Sequence, residues 1–207
     1  VVSLFDRLKQ LPRYLESFAL VVKSPPAFVK PLLVVVAYGT PQEIEPIVEL
    51  VRSSLPQGSY HLVNMVCDFF ERVDAVNACV PVLRKFREDD IFFTTDVDIP
   101  VPSDILHRVP HYAVPDRVAF APVAFWTPRA VVPVGSRAEP DDEAMFSSYG
   151  LIAISLKDYW AISGMDPKNN GNEYEDTHTA FKIYYHEIAL FRFQDESFVH
   201  IPHNVTG

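Results

Sequence analysis

Two aspartates that follow an apolar segment could together hold a metal ion. Asp96 and Asp98 come directly after Ile91–Thr95, and Val97 separates them. Alternate side chains of an extended chain point to the same side, so the two carboxylates share one side and Val97 points into the core. Paired carboxylate oxygens can hold a divalent cation that bridges a diphosphate. A loop with two solvated aspartates is the structural alternative.

A second acidic pair could carry out acid–base chemistry. Glu175 and Asp176 follow the turn sequence Asn169–Asn172 and lie near the start of a predicted helix. A carboxylate can act as a general base when it reaches a substrate hydroxyl and its pKa suits the reaction. The structural alternative is that acidic side chains in a first helical turn interact favourably with the helix dipole.

Two further motifs carry groups that bind metals or phosphates. His200 and His203 lie three residues apart and could ligate one metal together with a carboxylate from elsewhere. Arg72 can bind a phosphate through two parallel hydrogen bonds, and Phe70 can stack on a base. An exposed histidine pair, and a buried phenylalanine beside a solvated arginine, are the structural alternatives.

The first half of the sequence predicts an alternation of strands and helices that would position these residues. Apolar segments rich in β-branched residues predict strands at Leu32–Tyr38, Tyr60–Cys67 and Ile91–Thr95. Helical spacing predicts one helix after Thr40 and another over Phe70–Phe86, interrupted at Pro81. This order is typical of right-handed βαβ units with a mostly parallel sheet. Ligands of such sheets bind at the carboxyl ends of strands, where Asp96 and Asp98 lie.

The remaining segments predict a less regular second half and a helical start. Strands are predicted at Val118–Trp126, Tyr149–Leu156, Ile188–Phe193 and Phe198–Ile201, and helices at Lys157–Ser163 and Glu173–Tyr185. Helical spacing of apolar residues predicts one or two short helices within residues 1–24. We therefore expect an N-terminal helical extension over residues 1–30 and an α/β domain over residues 31–207.

The composition excludes several classes of protein. The 207 residues are 48% hydrophobic, which supports one domain with a sizeable core. The net charge of −9 argues against a general nucleic-acid or anionic-membrane surface, so an anionic substrate would need a local cation. Cys67 and Cys79 are too few for a disulfide scaffold. No apolar segment approaches the roughly 20 residues that span a bilayer, and no signal peptide is visible.

The order of these motifs resembles that of the metal-dependent, inverting galactosyl- and N-acetylgalactosaminyltransferases of the GT-A type. The likeness is strongest to β-1,4-galactosyltransferase and to the chondroitin-synthesising N-acetylgalactosaminyltransferases. It rests on six segments in the same order: Leu32–Gly39, Phe70–Arg72, Phe92–Asp98, Ser148–Asp166, Glu175–Ile183 and Val199–His203. Each segment is a modest signal, but their common order and spacing are specific.

The resemblance implies a fold and a set of site residues. The implied fold is α/β, with a Rossmann-like mixed, mostly parallel sheet flanked by helices. Asp98, His200 and His203 would bind Mn²⁺ or another divalent cation. Asp176 would be the base that deprotonates the acceptor hydroxyl, and Glu175 would orient the acceptor. A further set would contact the UDP-sugar donor: Tyr38, Gly39, Phe70, Arg72, Asp96 and Val97.

The implied activity is metal-dependent, inverting transfer of a hexose or N-acetylhexosamine from a UDP-sugar to a glycan hydroxyl. The partners would be a nucleotide-sugar donor and a glycan acceptor, with no nucleic acid. One alternative is an inactive sugar- or nucleotide-binding domain of the same fold, since Asn170–Tyr174 replaces the Trp-Gly run of the family. Another is a metal-dependent phosphoryl-transfer or hydrolytic enzyme. The resemblance implies the Golgi lumen for a fragment of a eukaryotic type II membrane protein, and the cytoplasm otherwise.

Overall fold

A mixed β-sheet flanked by helices organises the chain. The computed structural model describes residues 8–67, 71–112, 117–129, 132–146, 148–166 and 175–201, and only the backbone of residues 2–4, 110 and 112. The strands are β1 Val2–Leu4, β2 Leu33–Gly39, β3 Tyr60–Val66, β4 Ile91–Asp96, β5 Val118–Trp126, β6 Glu143–Ala144, β7 Ile152–Ser155 and β8 Ala189–His200. The helices are α1 Leu11–Lys23, α2 Pro41–Ser54, α3 Arg72–Asn77, α4 Val80–Leu83, α5 Ile105–Tyr112, α6 Leu156–Ala161 and α7 Glu175–Tyr185.

The strand order confirms the predicted α/β architecture. The strands run in the order β3-β2-β1-β4-β7-β5-β6, and β8 pairs with β5. The first four strands of that order are mutually parallel, as are β5 and β8, whereas β7 is antiparallel to both β4 and β5. The carboxyl ends of β2, β3 and β4 therefore lie along one edge of the sheet, where the sequence predicted a ligand site.

Helices cover both faces of β2, which explains its continuous apolar sequence. Leu33, Val35 and Ala37 belong to one buried cluster with residues of α1 and α2. The side chains that alternate with them belong to a second cluster with residues of α3 and α4: Val34, Val36 and Tyr38. A strand buried on both faces needs apolar side chains at every position, rather than at every second one.

Three local predictions differ from the structure. Residues 2–4 were predicted as helix, but they form β1, because the position between β2 and β4 offers ladder hydrogen bonds on both sides. The final segment was predicted as two strands, but β8 is continuous and has an irregularity opposite Val123–Phe125. The sequence did not predict α5. The boundary at residue 30 stays a prediction.

The other predicted elements are confirmed. Most of their predicted ends lie within one or two residues of the ends in the structure. The helix predicted over Phe70–Phe86 is divided as expected, but the break lies at Ala78–Cys79 and not at Pro81. Pro81 lies in the first turn of α4, where a missing N–H is tolerated. Thr40 is the N-cap of α2, as the sequence predicted, and the structure adds a reciprocal hydrogen bond from its backbone N–H to the Glu43 side chain. Within the described residues, no helix is long and apolar enough to cross a membrane.

Candidate active site

Arg72, the first residue of α3, draws together acidic side chains from two distant parts of the sequence. Its Nη2 lies 2.9 Å from Asp96 Oδ1 at the end of β4. Its Nη1 lies 3.0 Å from Asp176 Oδ2 and 3.9 Å from Glu175 Oε1 at the start of α7. Burial would lower the pKa of Arg72, but the surrounding carboxylates raise it, so the guanidinium stays charged. We call these four residues the Arg72 cluster.

Asp176 has the properties of a proton acceptor. Burial raises its pKa to about 6, and nearby Asp96 and Glu175 add to that rise, while Arg72 opposes it. Its Oδ2 accepts a hydrogen bond from Arg72, whereas its Oδ1 is buried and receives no hydrogen bond from the described residues. A largely buried carboxylate with one oxygen held and the other without a hydrogen-bond partner can take a proton from a hydroxyl that reaches it.

Asp96 is held in place by Arg72 and lies against the backbone of Gly150. Burial raises the pKa of Asp96, Arg72 lowers it, and Asp98 raises it again. A Cβ added to Gly150 would lie 2.4 Å from Asp96 Oδ2, so only glycine allows this approach. The Gly150 carbonyl also accepts hydrogen bonds from Arg72 Nη2 at 3.0 Å and Thr94 Oγ1 at 3.2 Å.

Sequence reasoning did not assign a site role to Gly150 or Thr94. Both lie where β4 pairs with β7, and Thr94 Oγ1 also accepts a hydrogen bond from Ile152 N. The only signal in the sequence was a glycine immediately before an apolar strand. Such a glycine indicates that another group approaches the backbone closely, but it does not show which residue that is. The partner becomes evident only from the antiparallel register of β4 and β7.

Asp98 and His200 meet beside the Arg72 cluster. Asp98 Oδ2 lies 3.5 Å from His200 Nε2, and Ile201 N donates a hydrogen bond to Asp98 O at 2.6 Å. The end of β8 is thus joined to the turn that follows β4. A carboxylate and an imidazole suit Mn²⁺ or a similar divalent cation, so these two residues fit the predicted metal site. His203 lies outside the described residues, within which no group of three or more potential metal ligands is found.

Tyr38 and Gly39 end β2 near the start of α3. Burial and the neighbouring Cys67 raise the pKa of Tyr38 to about 12, and the backbone of Glu71 hydrogen-bonds to its side chain. Gly39 has a φ of 137° and accepts a hydrogen bond from Cys67 N. Tyr38 and Gly39 are both buried, and Glu43 of α2 packs against Gly39, so their predicted contact with the donor stays a prediction.

The structure brings most of the predicted site residues together. Glu175, Asp176, Arg72 and Asp96 form one cluster, which Asp98 and His200 adjoin, and Val97 points into the core as predicted. Phe70, predicted to stack on a base, lies outside the described residues. Arg72 was predicted to contact a phosphate. Its guanidinium is held by carboxylates and the Gly150 carbonyl, and the phosphate contact stays a prediction.

Comparison with known proteins then identifies the family. The family model described as chondroitin N-acetylgalactosaminyltransferase matches residues 1–206. The chain belongs to this family. It is therefore a glycosyltransferase, as the motif order implied.

One solved structure supports the same fold. The catalytic domain of Drosophila β1,4-galactosyltransferase 7, in complex with xylobiose, is 18% identical, with a TM-score of 0.53 over 98% of this chain and 69% of that one. This likeness confirms the GT-A fold. A Bacillus anthracis protein assigned as a glucose-1-phosphate thymidylyltransferase, solved with sucrose, is 13% identical, with a TM-score of 0.44 over 78% of this chain and 67% of that one. The comparison with curated proteins gave no match.

Proposed function

We propose that this glycosyltransferase moves a hexose or N-acetylhexosamine from a UDP-sugar to a glycan hydroxyl, with metal dependence and inversion at the anomeric carbon. The observation that carries the proposal is Asp176, a largely buried carboxylate with a raised pKa and one oxygen that receives no hydrogen bond from the described residues. The family description names N-acetylgalactosamine transfer, so UDP-N-acetylgalactosamine is the first donor to test and UDP-galactose the second.

The Arg72 cluster supplies the groups that such a reaction needs. Asp176 Oδ1 takes the proton of the acceptor hydroxyl. The hydroxyl oxygen attacks the anomeric carbon of the donor sugar on the side opposite the diphosphate, and the bond from that carbon to the diphosphate breaks. Arg72 holds Asp176 Oδ2 at 3.0 Å and thereby orients the base. Glu175 orients the acceptor through hydrogen bonds. Burial excludes water, which would otherwise compete as the acceptor.

The metal would be held by Asp98 and His200, with His203 as a further ligand. When bound, a divalent cation acts as a Lewis acid that offsets the charge developing on the leaving diphosphate. The net charge of −9 supports this assignment, because an acidic protein needs a local cation to hold an anionic nucleotide. Asp96 and the Gly39 backbone would contact the rest of the donor.

Replacing Asp98 with alanine should remove metal-dependent UDP binding. Because Asp98 is one of only two or three protein ligands of the metal, its loss should weaken metal-dependent UDP binding about 100-fold or more. Calorimetric titration with UDP, in manganese and then in excess chelator, measures the effect. The matched control is Asp141→Ala, at an exposed aspartate that was not predicted to bind metal or donor. Unchanged manganese-dependent binding in Asp98→Ala would exclude the assigned metal site.

The acid side of the pH profile should report the ionisation of Asp176. The base must be deprotonated, and its pKa is raised to about 6. We therefore expect kcat/KM to be constant above about pH 7 and to fall about tenfold per pH unit below pH 6. UDP binding measured over the same range separates loss of the base from loss of the donor. A rate that stays constant down to pH 5 would rule out Asp176 as the base.

We propose a glycan acceptor and no nucleic-acid partner, in keeping with the acidic composition. For a protein of eukaryotic origin, we propose the Golgi lumen as the location, because glycan chains are extended there. Immunofluorescence of the full-length protein against Golgi and cytosolic markers tests this location.

A further inference from the structure

A half-buried arginine of β8 contacts the residues that lead into Gly150. Arg192 Nη2 donates a hydrogen bond to the carbonyl oxygen of Ser148 at 2.9 Å. Its Cζ lies 3.8 Å from the centre of the Tyr149 ring, a distance at which a guanidinium is attracted to the ring face. One side chain from a distant part of the sequence thus holds two consecutive residues. We call Ser148, Tyr149 and Gly150 the Gly150 segment.

The Gly150 segment precedes β7 and belongs to no strand or helix, so side chains fix its position. At one end, Thr94 Oγ1 donates a hydrogen bond to the Gly150 carbonyl at 3.2 Å. At the other end, Arg192 holds the Ser148 carbonyl. Without Arg192, the hydrogen bonds of Ser148 within the described part of the chain would be those to Met145 and Gly150, its close neighbours. Removing the Arg192 side chain would therefore free this end of the segment.

The Gly150 segment in turn fixes the guanidinium of Arg72. The Gly150 carbonyl accepts a hydrogen bond from Arg72 Nη2 at 3.0 Å, and Asp96 Oδ1 lies 2.9 Å from the same nitrogen. Arg72 Nη1 donates to Asp176 Oδ2 at 3.0 Å. The guanidinium is thus held between the Gly150 backbone and the carboxylate assigned as the base. A displacement of the Gly150 carbonyl would move the group that orients this base.

Arg192 also has a feature that a residue kept only for stability would lack. Its Nη1 is buried and has no hydrogen-bond partner among the described residues. A buried charged donor without an acceptor destabilises the folded state, because it loses its hydration and gains no hydrogen bond in return. Asp176 Oδ1 shows the same pattern in the Arg72 cluster. Stability alone therefore does not account for an arginine at this position.

We propose that Arg192 is a positioning residue for the base. It holds the Gly150 segment against the Arg72 cluster, and Arg72 then holds Asp176 in the orientation in which Oδ1 meets the acceptor hydroxyl. Arg192 acts through Ser148, Gly150 and Arg72 and contacts no reacting atom. The inference rests on the proposed function, in which Asp176 takes the proton, and it adds a residue of β8 to those that serve the reaction.

The titration of Asp176 tests this series of contacts without requiring turnover. Burial raises the pKa of Asp176, and Arg72 opposes that rise through its charge and its hydrogen bond. If Arg72 is loosened, the pKa should rise further. NMR of protein labelled at the aspartate carboxyl carbons follows the titration, and the Asp176 signal is the one missing in Asp176→Asn. We expect Arg192→Met to raise the apparent pKa by at least about 0.5. A pKa that does not rise overturns the proposal.

Two further variants separate positioning from a direct effect of charge. Tyr149→Leu removes the ring on which Arg192 stacks and leaves every charge in place, so it should raise the pKa of Asp176 in the same direction. The matched control is Arg87→Met, at an arginine whose side chain is 80% exposed and pairs with Asp89 just before β4. It should leave the titration unchanged. A rise in Arg192→Met that is absent in Tyr149→Leu would mean that the lost charge acts directly, which contradicts the positioning role.

Kinetics test whether Arg192 acts through the base. Arg192→Met should lower kcat about 10- to 100-fold, because a displacement of about 1 Å can have an effect of this size, and should leave the donor KM within about twofold. In an Asp176→Asn background the base is already absent, so the same substitution should lower the residual rate less than about twofold. An equal loss in both backgrounds would show that Arg192 acts elsewhere.

The outcomes distinguish this proposal from the proposed function. If the parent protein transfers no sugar, the proposed function fails, and the titration of Asp176 still decides whether Arg192 positions that carboxylate. If sugar is transferred while Arg192→Met keeps the parental titration and kcat, the positioning role is wrong and the proposed function stands.

Discussion

Replacing Asp176 with asparagine is expected to abolish sugar transfer and to leave UDP binding intact. The amide has almost the same shape and can still accept the hydrogen bond from Arg72, but it cannot take a proton. General-base catalysis contributes about 10²–10⁴-fold, so we expect the rate to fall about 10³-fold. Initial rates with saturating donor measure the loss, and calorimetry measures UDP binding. Full turnover in Asp176→Asn would show that another group is the base.

The same substitution should make the protein more stable at neutral pH. The folded protein raises the pKa of Asp176 from 3.8 to about 6, so folding disfavours its ionised form. At about 1.4 kcal/mol per pKa unit, the ionised carboxylate destabilises the fold by up to about 3 kcal/mol. This penalty is complete above pH 6 and absent below pH 3.8, where the group is protonated in both states.

Urea unfolding of the parent and of Asp176→Asn, at pH 7.5 and at pH 4, tests this dependence. The free energy of unfolding of the variant should exceed that of the parent at pH 7.5 and approach it at pH 4. Asp141→Asn, at an exposed aspartate, is the matched control and should change neither value. A stability gain at pH 4 as large as that at pH 7.5 would contradict the assigned pKa. Greater stability with lost activity is the pattern of a residue kept for chemistry.

Replacing Gly150 with alanine should disrupt the Arg72 cluster from the backbone side. The new Cβ would lie 2.4 Å from Asp96 Oδ2 and 3.2 Å from Arg72 Nη2, so the ion pair between these two residues must move. Forcing a methyl group into a packed site costs about 1–3 kcal/mol. We expect that loss in urea unfolding. We also expect at least about a 100-fold fall in turnover, because displacing groups by about 1 Å has an effect of this size.

A second substitution shows whether the clash with Asp96 is the cause. In an Asp96→Ala background the carboxylate is absent, and adding the Gly150 methyl group should destabilise the protein much less. The difference between the two backgrounds is the coupling energy of a double-mutant cycle. Equal destabilisation in both backgrounds would mean that the methyl group acts elsewhere, through the Arg72 guanidinium or the backbone.

Local sequence pattern determined the elements whose stability depends on their own residues. The uninterrupted apolar run of β2 predicts a strand covered on both faces, and the alternation of strands and helices predicts a mostly parallel sheet. Residue type also identified Asp96, Asp98 and Asp176 as candidates for chemistry. The common order of the motifs indicated the family, because several weak motifs in one order are more specific than any of them alone.

The tertiary structure decided the features that depend on groups distant in the sequence. Val2–Leu4 form a strand because β2 and β4 flank them, which overrides a helical spacing. The pKa of Asp176 follows from burial beside Arg72 and Asp96, and no local pattern encodes it. The need for glycine at position 150 and the contact of Arg192 with Ser148 depend on strand register. Register is set by the packing of the whole sheet, so it cannot be read from either strand alone.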